Sequence, residues 1–404
     1  MAKRLCGSTV VLLVLFVFAF DCILKTVRPL SFIHSPYFIP LEQNLAAIRL
    51  PRFFAEAQNP NILLLGDSTL LHPIARCDDH FKGEPTRYDY LYQWNRVNNN
   101  PNALYFSNLL NKKLGLALKT ENLGVAGAMT SDQHLILKNI VSSNKLPQLV
   151  IYFIAPRQLL DNQHSQIEQT PVYKVLANAD SIQVLLKKDP KAEELRDCLL
   201  SMAWYYYKVK VDYRTMASLI TAQISGHPLT LYQAMANTKS RENQAQKNIA
   251  IYDNTPDYTP KVNTLKDIQQ YREAYNPPNY KLFEQQRAHL SSMLQLAQNK
   301  NLTVILVNMP LTAENKNLLP IESRQLYLST IKSLCTKYGA SFYDLDHQGL
   351  YRLSDFEDSC HMNRYGGEKL FACLVDKLSQ DKIAIKSISK NTAQQFAGFK
   401  LPWL

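Results

Sequence analysis

The sequence predicts an α/β fold: a parallel sheet covered by helices on both faces, interrupted by a mainly helical insertion and preceded by an N-terminal membrane segment. Three observations carry this. Short apolar runs at 61–65, 148–154 and 302–308 have the length and β-branched content of strands buried on both faces. Helical patterns over 103–113, 131–142, 282–299 and 321–338 separate them, and strands that alternate with helices build parallel sheets. An unbroken apolar run from Val10 to Phe20 follows Lys3 and Arg4.

In chain order, residues 1–28 read as a signal anchor with a short linker. The stretch from Leu5 to Leu24 is just long enough to span a bilayer. The Val10–Phe20 run also fits the core of a cleaved signal peptide, but no small-x-small site follows it, and Asp21 before Cys22 spoils a lipoprotein reading. An uncleaved anchor is therefore expected, with the remainder outside the cytoplasm (periplasmic or equivalent); a secreted form is the alternative. Lys25 and Arg28 on the far side weaken the positive-inside argument.

Residues 29–164 form the first part of the α/β domain. They hold a proline-punctuated linker and first helix up to 58, the strand 61–65, a long polar loop over 77–102, an amphipathic helix with Leu104, Phe106, Leu109 and Leu110 on its apolar side, and a strand at 120–123 that breaks into a glycine turn. Residues 165–280 break the rhythm and read as a helical insertion, expected as a lid. Its aromatic piece Met202–Tyr207 is either the buried core of that insertion or a surface facing membrane or glycan, and 243–278 is polar. The second part of the domain covers 281–382, with a short strand at 340–344, and 383–404 reads as a loose tail.

Bulk properties bound the function. A 404-residue chain with 46% hydrophobic and 20% charged residues buries a sizeable core and is not disordered. The net charge of +11 is spread out, with no arginine-rich stripe, which argues against a nucleic-acid partner. An anionic envelope polymer or lipid headgroups suit it better, beside the plain alternative of a solubilising charge. Seven cysteines, an odd number without a C-x-x-C pair, do not make a disulfide framework.

The chemistry gathers at two places. Asn61-Ile-Leu-Leu-Leu-Gly66-Asp67-Ser68 drives a buried strand straight into a serine, which puts a hydroxyl at the edge of a sheet in a tight turn. A nucleophile needs such an exposed yet rigid position, although Asp and Ser are also ordinary helix caps. Near the C-terminus, Asp358 and His361 are three residues apart in Asp358-Ser-Cys-His361-Met-Asn-Arg-Tyr-Gly-Gly367. That spacing brings a carboxylate to an imidazole, so Asp358 can orient His361 and His361 can take the serine proton. Asp344-Leu-Asp-His347 has the same spacing and makes His347 the alternative base. Cys77-Asp-Asp-His80 and Cys360-His361 complete no metal-ligand spacing, so neither metal nor cofactor is expected.

The ordered set Gly66-Asp67-Ser68, Asn122-x-Gly124-x-x-Gly127 and Asp358-x-x-His361 resembles the SGNH (GDSL-type) hydrolase superfamily over roughly 60–165 and 300–380. With a membrane anchor and a terminal Asp-x-x-His-x-Asn-x-x-Gly, it resembles the branch that includes the D-alanyl transfer protein DltD and the alginate O-acetylation proteins, which act on cell-envelope polymers. The resemblance implies a three-layer α-β-α, flavodoxin-like fold. It implies Ser68 as nucleophile, His361 as base and Asp358 as its orienter. The backbone N–H groups of Ser68 and Gly127 would belong to the oxyanion hole, with Gly66, Asp67, Asn122 and Gly124 as structural support. One departure stands out. The superfamily's Gly-x-Asn-Asp after the third strand is replaced by Ala155-Pro156-Arg157, so Arg157 or Asn162 becomes the candidate third donor.

The expectation is a membrane-anchored serine O-acyltransferase or esterase acting on a cell-envelope polysaccharide or similar polymer, with a multi-pass membrane acyltransferase as partner by family analogy. A non-catalytic glycan-binding or scaffold protein on the same fold is the second reading, and a secreted esterase or lipase the third.

Overall fold

The computed structural model describes residues 2–32, 41–56, 59–86, 100–162, 167, 170–176, 186, 192–225, 267–347 and 349–389. The expected loop over 87–99, the polar stretch 243–266 and the tail 390–404 lie outside the described residues. The described helices used below are α1 (Ala2–Val27), α2 (Ser68–Phe81), α3 (Leu104–Leu114), α4 (Thr130–Ser142), α5 (Ala192–Ala203) and α6 (Tyr205–Ile224). They continue with α7 (Ile268–Tyr275), α8 (Tyr280–Asn299), α9 (Ile321–Tyr338), α10 (Arg364–Gln380) and α11 (Lys382–Ser389). Two compact units result: one from Met1–Ile48 and Pro171–Tyr252, the other from Arg49–Thr170 and Asp253–Leu404.

The larger unit is an α/β fold around five parallel strands: β1 (Ile62–Leu65), β2 (Thr120–Asn122), β3 (Leu149–Ile154), β4 (Thr303–Asn308) and β5 (Ser341–Asp344). They are ordered β2-β1-β3-β4-β5, the flavodoxin-like order. Leu64 of β1 stands opposite Asn122 on one side and Ile151 on the other. Parallel strands need crossovers, and the crossover helices bury both faces, which is why β1 and β3 read as continuous apolar runs. Ile62, Leu64, Ile151, Phe153, Ile305 and Val307 turn to one face and pack with residues of α2, α3 and α10, including Ile74, Phe106, Leu110, Phe371 and Leu374. The alternate residues face the other layer, where α4, α8 and α9 pack on one another. In these folds ligands bind beyond the C-terminal strand ends at the point where strand order reverses. Here that point is the end of β1.

Three elements differ from the sequence reading. Residues 77–81 are not loop but the last turn of α2, and Cys77, Asp78 and Asp79 in it are buried. Their polarity is misleading because the partners are remote: Asp78 Oδ2 and Oδ1 accept the N–H groups of Leu104 and Tyr105, capping α3 at 3.0 and 2.8 Å. Residues 383–389, read as loose tail, belong to α11, and its Ala384 and Ile388 are buried in the core. Residues 268–275, read as insertion, fall in the larger unit and form α7.

Gly366 and Gly367 open α10 for packing reasons. A Cβ on Gly366 would collide with the Asp355 carbonyl oxygen, and one on Gly367 would lie 2.7 Å from Cys77 Sγ.

In the smaller unit, residues Thr9–Phe32 contain a stretch of mean hydropathy 2.5 and are long and apolar enough to cross a membrane. Asp21, which interrupts that run, accepts the N–H groups of Tyr205 and Tyr206 at 3.0 and 2.6 Å and so caps α6. Trp204 and Tyr205–Tyr207 are half-buried there.

Candidate active site

β1 delivers Ser68 to the sheet edge. Gly66 fits because its neighbours leave no room: a Cβ there would lie 3.0 Å from Leu70 Cβ and 3.2 Å from Phe153 Cβ. The Gly66 carbonyl accepts the Val125 N–H at 3.0 Å and the Gln133 side-chain amide at 2.8 Å, which ties the turn to the glycine loop after β2. Asp67 is the N-cap of α2, its Oδ1 accepting from Thr69 N–H at 2.9 Å and Thr69 Oγ1 at 2.6 Å. The capping role thus falls to Asp67, and Ser68 keeps its hydroxyl for another partner.

That partner arrives from the loop after β5. Phe356 and Met362 form an antiparallel bridge, and Glu357 N–H donates to His361 carbonyl at 2.8 Å, closing a short hairpin. Within it Asp358 Oδ1 accepts the N–H groups of Cys360 and His361 at 2.9 and 2.7 Å. Asp358 Oδ2 lies 2.6 Å from His361 Nδ1, and His361 Nε2 lies 2.8 Å from Ser68 Oγ. With Nδ1–H donated to the carboxylate, Nε2 is left to accept the serine O–H. The hairpin tip is pinned by Ser359, whose carbonyl accepts from Thr312 Oγ1 at 2.9 Å and whose N–H donates to Asp267 at 3.1 Å. Asn363 then caps α10.

The second loop is held by contacts of Asn122. Asn122 Oδ1 accepts the Gly124 N–H at 3.0 Å, its amide donates to the Asn100 carbonyl at 3.1 Å, and Gly127 takes a left-handed φ of 72°. Among the described residues, neither the Ser68 N–H nor the Gly127 N–H has an acceptor.

The other candidates are engaged elsewhere. Arg157 Nε donates to Asp161 at 2.7 Å, and its Nη1 lies 3.2 Å from Tyr271 Oη. The Asn162 amide donates to the Pro277 carbonyl at 3.0 Å. His347 is exposed, and Asp344 is taken by the Asn308 amide at 2.8 Å. Asp358, Cys360 and His361 hold their donor atoms within 4.8 Å of one another, a spacing a metal ion could use. Yet both His361 nitrogens are committed, and burial pushes the Cys360 thiol up to about 12. This donor set suits a proton relay better than an ion.

Sequence reasoning missed three residues beneath this site. His72 and Arg76 follow Ser68 at intervals of four on α2, one stripe of a helix, and Glu357 precedes Asp358. The His72 ring stacks on the His361 ring with centroids 4.0 Å apart and planes 18° from parallel. His72 Nδ1 lies 3.3 Å from Glu357 Oε2, and the fully buried Arg76 grips both Glu357 oxygens, Nη2 to Oε2 at 3.1 Å and Nε to Oε1. Two stacked histidines therefore each hold a carboxylate on Nδ1, from consecutive residues.

Their charges are kept apart. Burial first, then the charge of His361, pushes His72 down to about 4. Burial would raise Glu357, but Arg76 overrides it and holds the carboxyl at about 2. Burial would lower His361, but the carboxylate of Asp358 outweighs it and raises the imidazole well above the usual histidine value. His72 is thus held neutral, while Asp358 favours the charged form of His361.

No curated protein matches the chain. A family model described as "Protein of unknown function" matches residues 100–378, taking in Gly127, Arg157, Asp358 and His361 but beginning after Ser68. The chain belongs to that family, DUF1574.

Proposed function

We propose that this protein is a membrane-anchored, SGNH-type serine acyl-transfer enzyme acting on a cell-envelope polymer. One observation carries the reading: the continuous relay Asp358–His361–Ser68, with contacts of 2.6 and 2.8 Å, at the strand-order reversal. His361 Nε2 takes the Ser68 proton as Oγ attacks an ester carbonyl. The developing oxyanion is met by the unengaged N–H groups of Ser68 and Gly127. Collapse expels the alcohol, which leaves with the proton from His361, and the acyl group stays on Ser68. An acceptor hydroxyl then gives its proton to His361 and attacks the acyl carbon, and Ser68 recovers its proton as it leaves. Arg157, paired with Asp161, takes no part as donor in this scheme. The apolar N-terminal helix, the overall positive charge and the resemblance of the motifs support an extracytoplasmic polymer as substrate.

The test is incubation of the purified full chain with p-nitrophenyl acetate and mass analysis of the quenched protein. An acetyl group on the peptide containing Ser68, lost in Ser68→Ala, is the expected result; equal acetylation of Ser68→Ala would overturn the reading.

The reaction should depend on pH in one direction. A base works only when neutral, and the His361 value is raised, so acylation should be slow at pH 6 and climb as the pH rises through that raised value. His72 at about 4 and Glu357 at about 2 do not titrate in that window. Burst rates between pH 5.5 and 9.5 check this. A rate already at its plateau at pH 6 is the contrary outcome.

A further inference from the structure

Three cations of the smaller unit form no ion pair among the described residues. The contact of Asp21 with the N–H groups of Tyr205 and Tyr206 joins α1 to the start of α6. About one turn beyond it on each helix stand Lys25 and Lys208, and Arg28 follows Lys25 by three residues. Lys25 and Arg28 are exposed, and Lys208 is half-buried. Among the described residues none of the three forms an ion pair. The nearby acids are engaged already: Glu42 accepts from Ser31 N–H at 2.9 Å and Tyr205 Oη at 2.6 Å, and Asp212 accepts from Leu41 N–H at 2.8 Å.

Helix electrostatics explain only part of this. Lys25 lies in the last turn of α1, where a cation is favoured. Lys208 is the fourth residue of α6, at the helix end that disfavours a positive charge. Burial, then Lys25 and Arg28, pushes its ammonium down from the usual lysine value. A cation held against burial, a helix dipole and two like charges calls for an anion from outside.

The surroundings say which anion. On α1, Val10, Leu12 and Phe16 are 60%, 65% and 68% exposed, an apolar surface that belongs in lipid. Trp204 groups with Tyr206 and Tyr207 at ring separations of 5.9 and 6.4 Å, and Lys210 Nζ lies 3.1 Å from the Tyr207 ring centroid. Aromatic rings and cations at the end of an apolar helix mark the headgroup level of a bilayer. We propose that Lys25, Arg28 and Lys208 form a binding site for the phosphate of an anionic phospholipid, with Trp204, Tyr206 and Tyr207 at the same depth in the interface.

The test is native mass spectrometry of the full chain released from detergent containing equal amounts of dioleoyl phosphatidylglycerol and dioleoyl phosphatidylcholine. Wild type should retain phosphatidylglycerol over phosphatidylcholine by roughly tenfold or more, a modest share of what three cations at an anionic surface can supply. The triple variant K25Q/R28Q/K208Q should bind the two lipids about equally. Relief of repulsion should keep its thermal midpoint in lipid-free neutral detergent at or above that of wild type. K208Q alone should lose most of the preference, and the control K281Q/K300Q/K382Q, with the same change in net charge, should keep it. No preference in wild type, an equal loss in the control, or displacement of the lipid by millimolar inorganic phosphate would each overturn the proposal.

Discussion

Replacing His361 with alanine should slow acylation of Ser68 by about 10⁴-fold, while His347→Ala should leave the rate within about twofold of wild type. The two histidines share the same Asp-x-x-His spacing, and their surroundings in the structure differ. His361 Nε2 is 2.8 Å from Ser68 Oγ, whereas His347 is exposed and Asp344 is bound to Asn308. Asp358→Asn should cost nearly as much as His361→Ala with little change in shape. An asparagine amide facing Nδ1 would donate to it, which leaves the proton on Nε2 pointing at the serine, the wrong tautomer for a base. Burst kinetics with p-nitrophenyl acetate on the three variants measure this. A fast Asp358→Asn variant would mean that the carboxylate neither orients nor charges the imidazole.

Glu357→Gln should destabilise the larger unit by about 3–5 kcal/mol, the usual consequence of removing one member of a buried ion pair. Arg76 is fully buried, and Glu357 is the carboxylate that grips it. The double replacement Arg76→Met with Glu357→Met should recover most of that loss, because both members of the pair are then removed together. Thermal unfolding of the single and double variants in detergent gives the cycle. A single-variant loss below about 1 kcal/mol would show that the pair is not the structural floor of the site. The double variant separates stability from chemistry: folded again, it should still lose acylation rate, because the His72 ring that stacks on His361 has lost its own carboxylate anchor.

Much of this arrangement is legible along the chain because each part is local. β1 and Ser68 lie within one ten-residue stretch, and Asp358 and His361 within four residues, so spacing alone proposes both halves of the relay. The strand alternation likewise foretells the parallel sheet. What is not legible depends on pairs that are remote in sequence. Asp78 looks like loop polarity until it is seen to cap α3, and Arg76 until it meets Glu357, 281 residues away. Asp21 looks like a flaw in an apolar run, yet it caps a helix 184 residues further on. Two signals were in reach. The Ser68–His72–Arg76 stripe follows helical spacing, and Ala384 and Ile388 are spaced as one buried helix face.

The most direct measurement is labelling of the detergent-solubilised full chain with a fluorophosphonate probe, which reacts with a serine only when a base has activated it. The relay predicts labelling of wild type and of His347→Ala, and its loss in Ser68→Ala and His361→Ala. Labelling that survives in Ser68→Ala, or that is lost with His347→Ala but kept with His361→Ala, would contradict it.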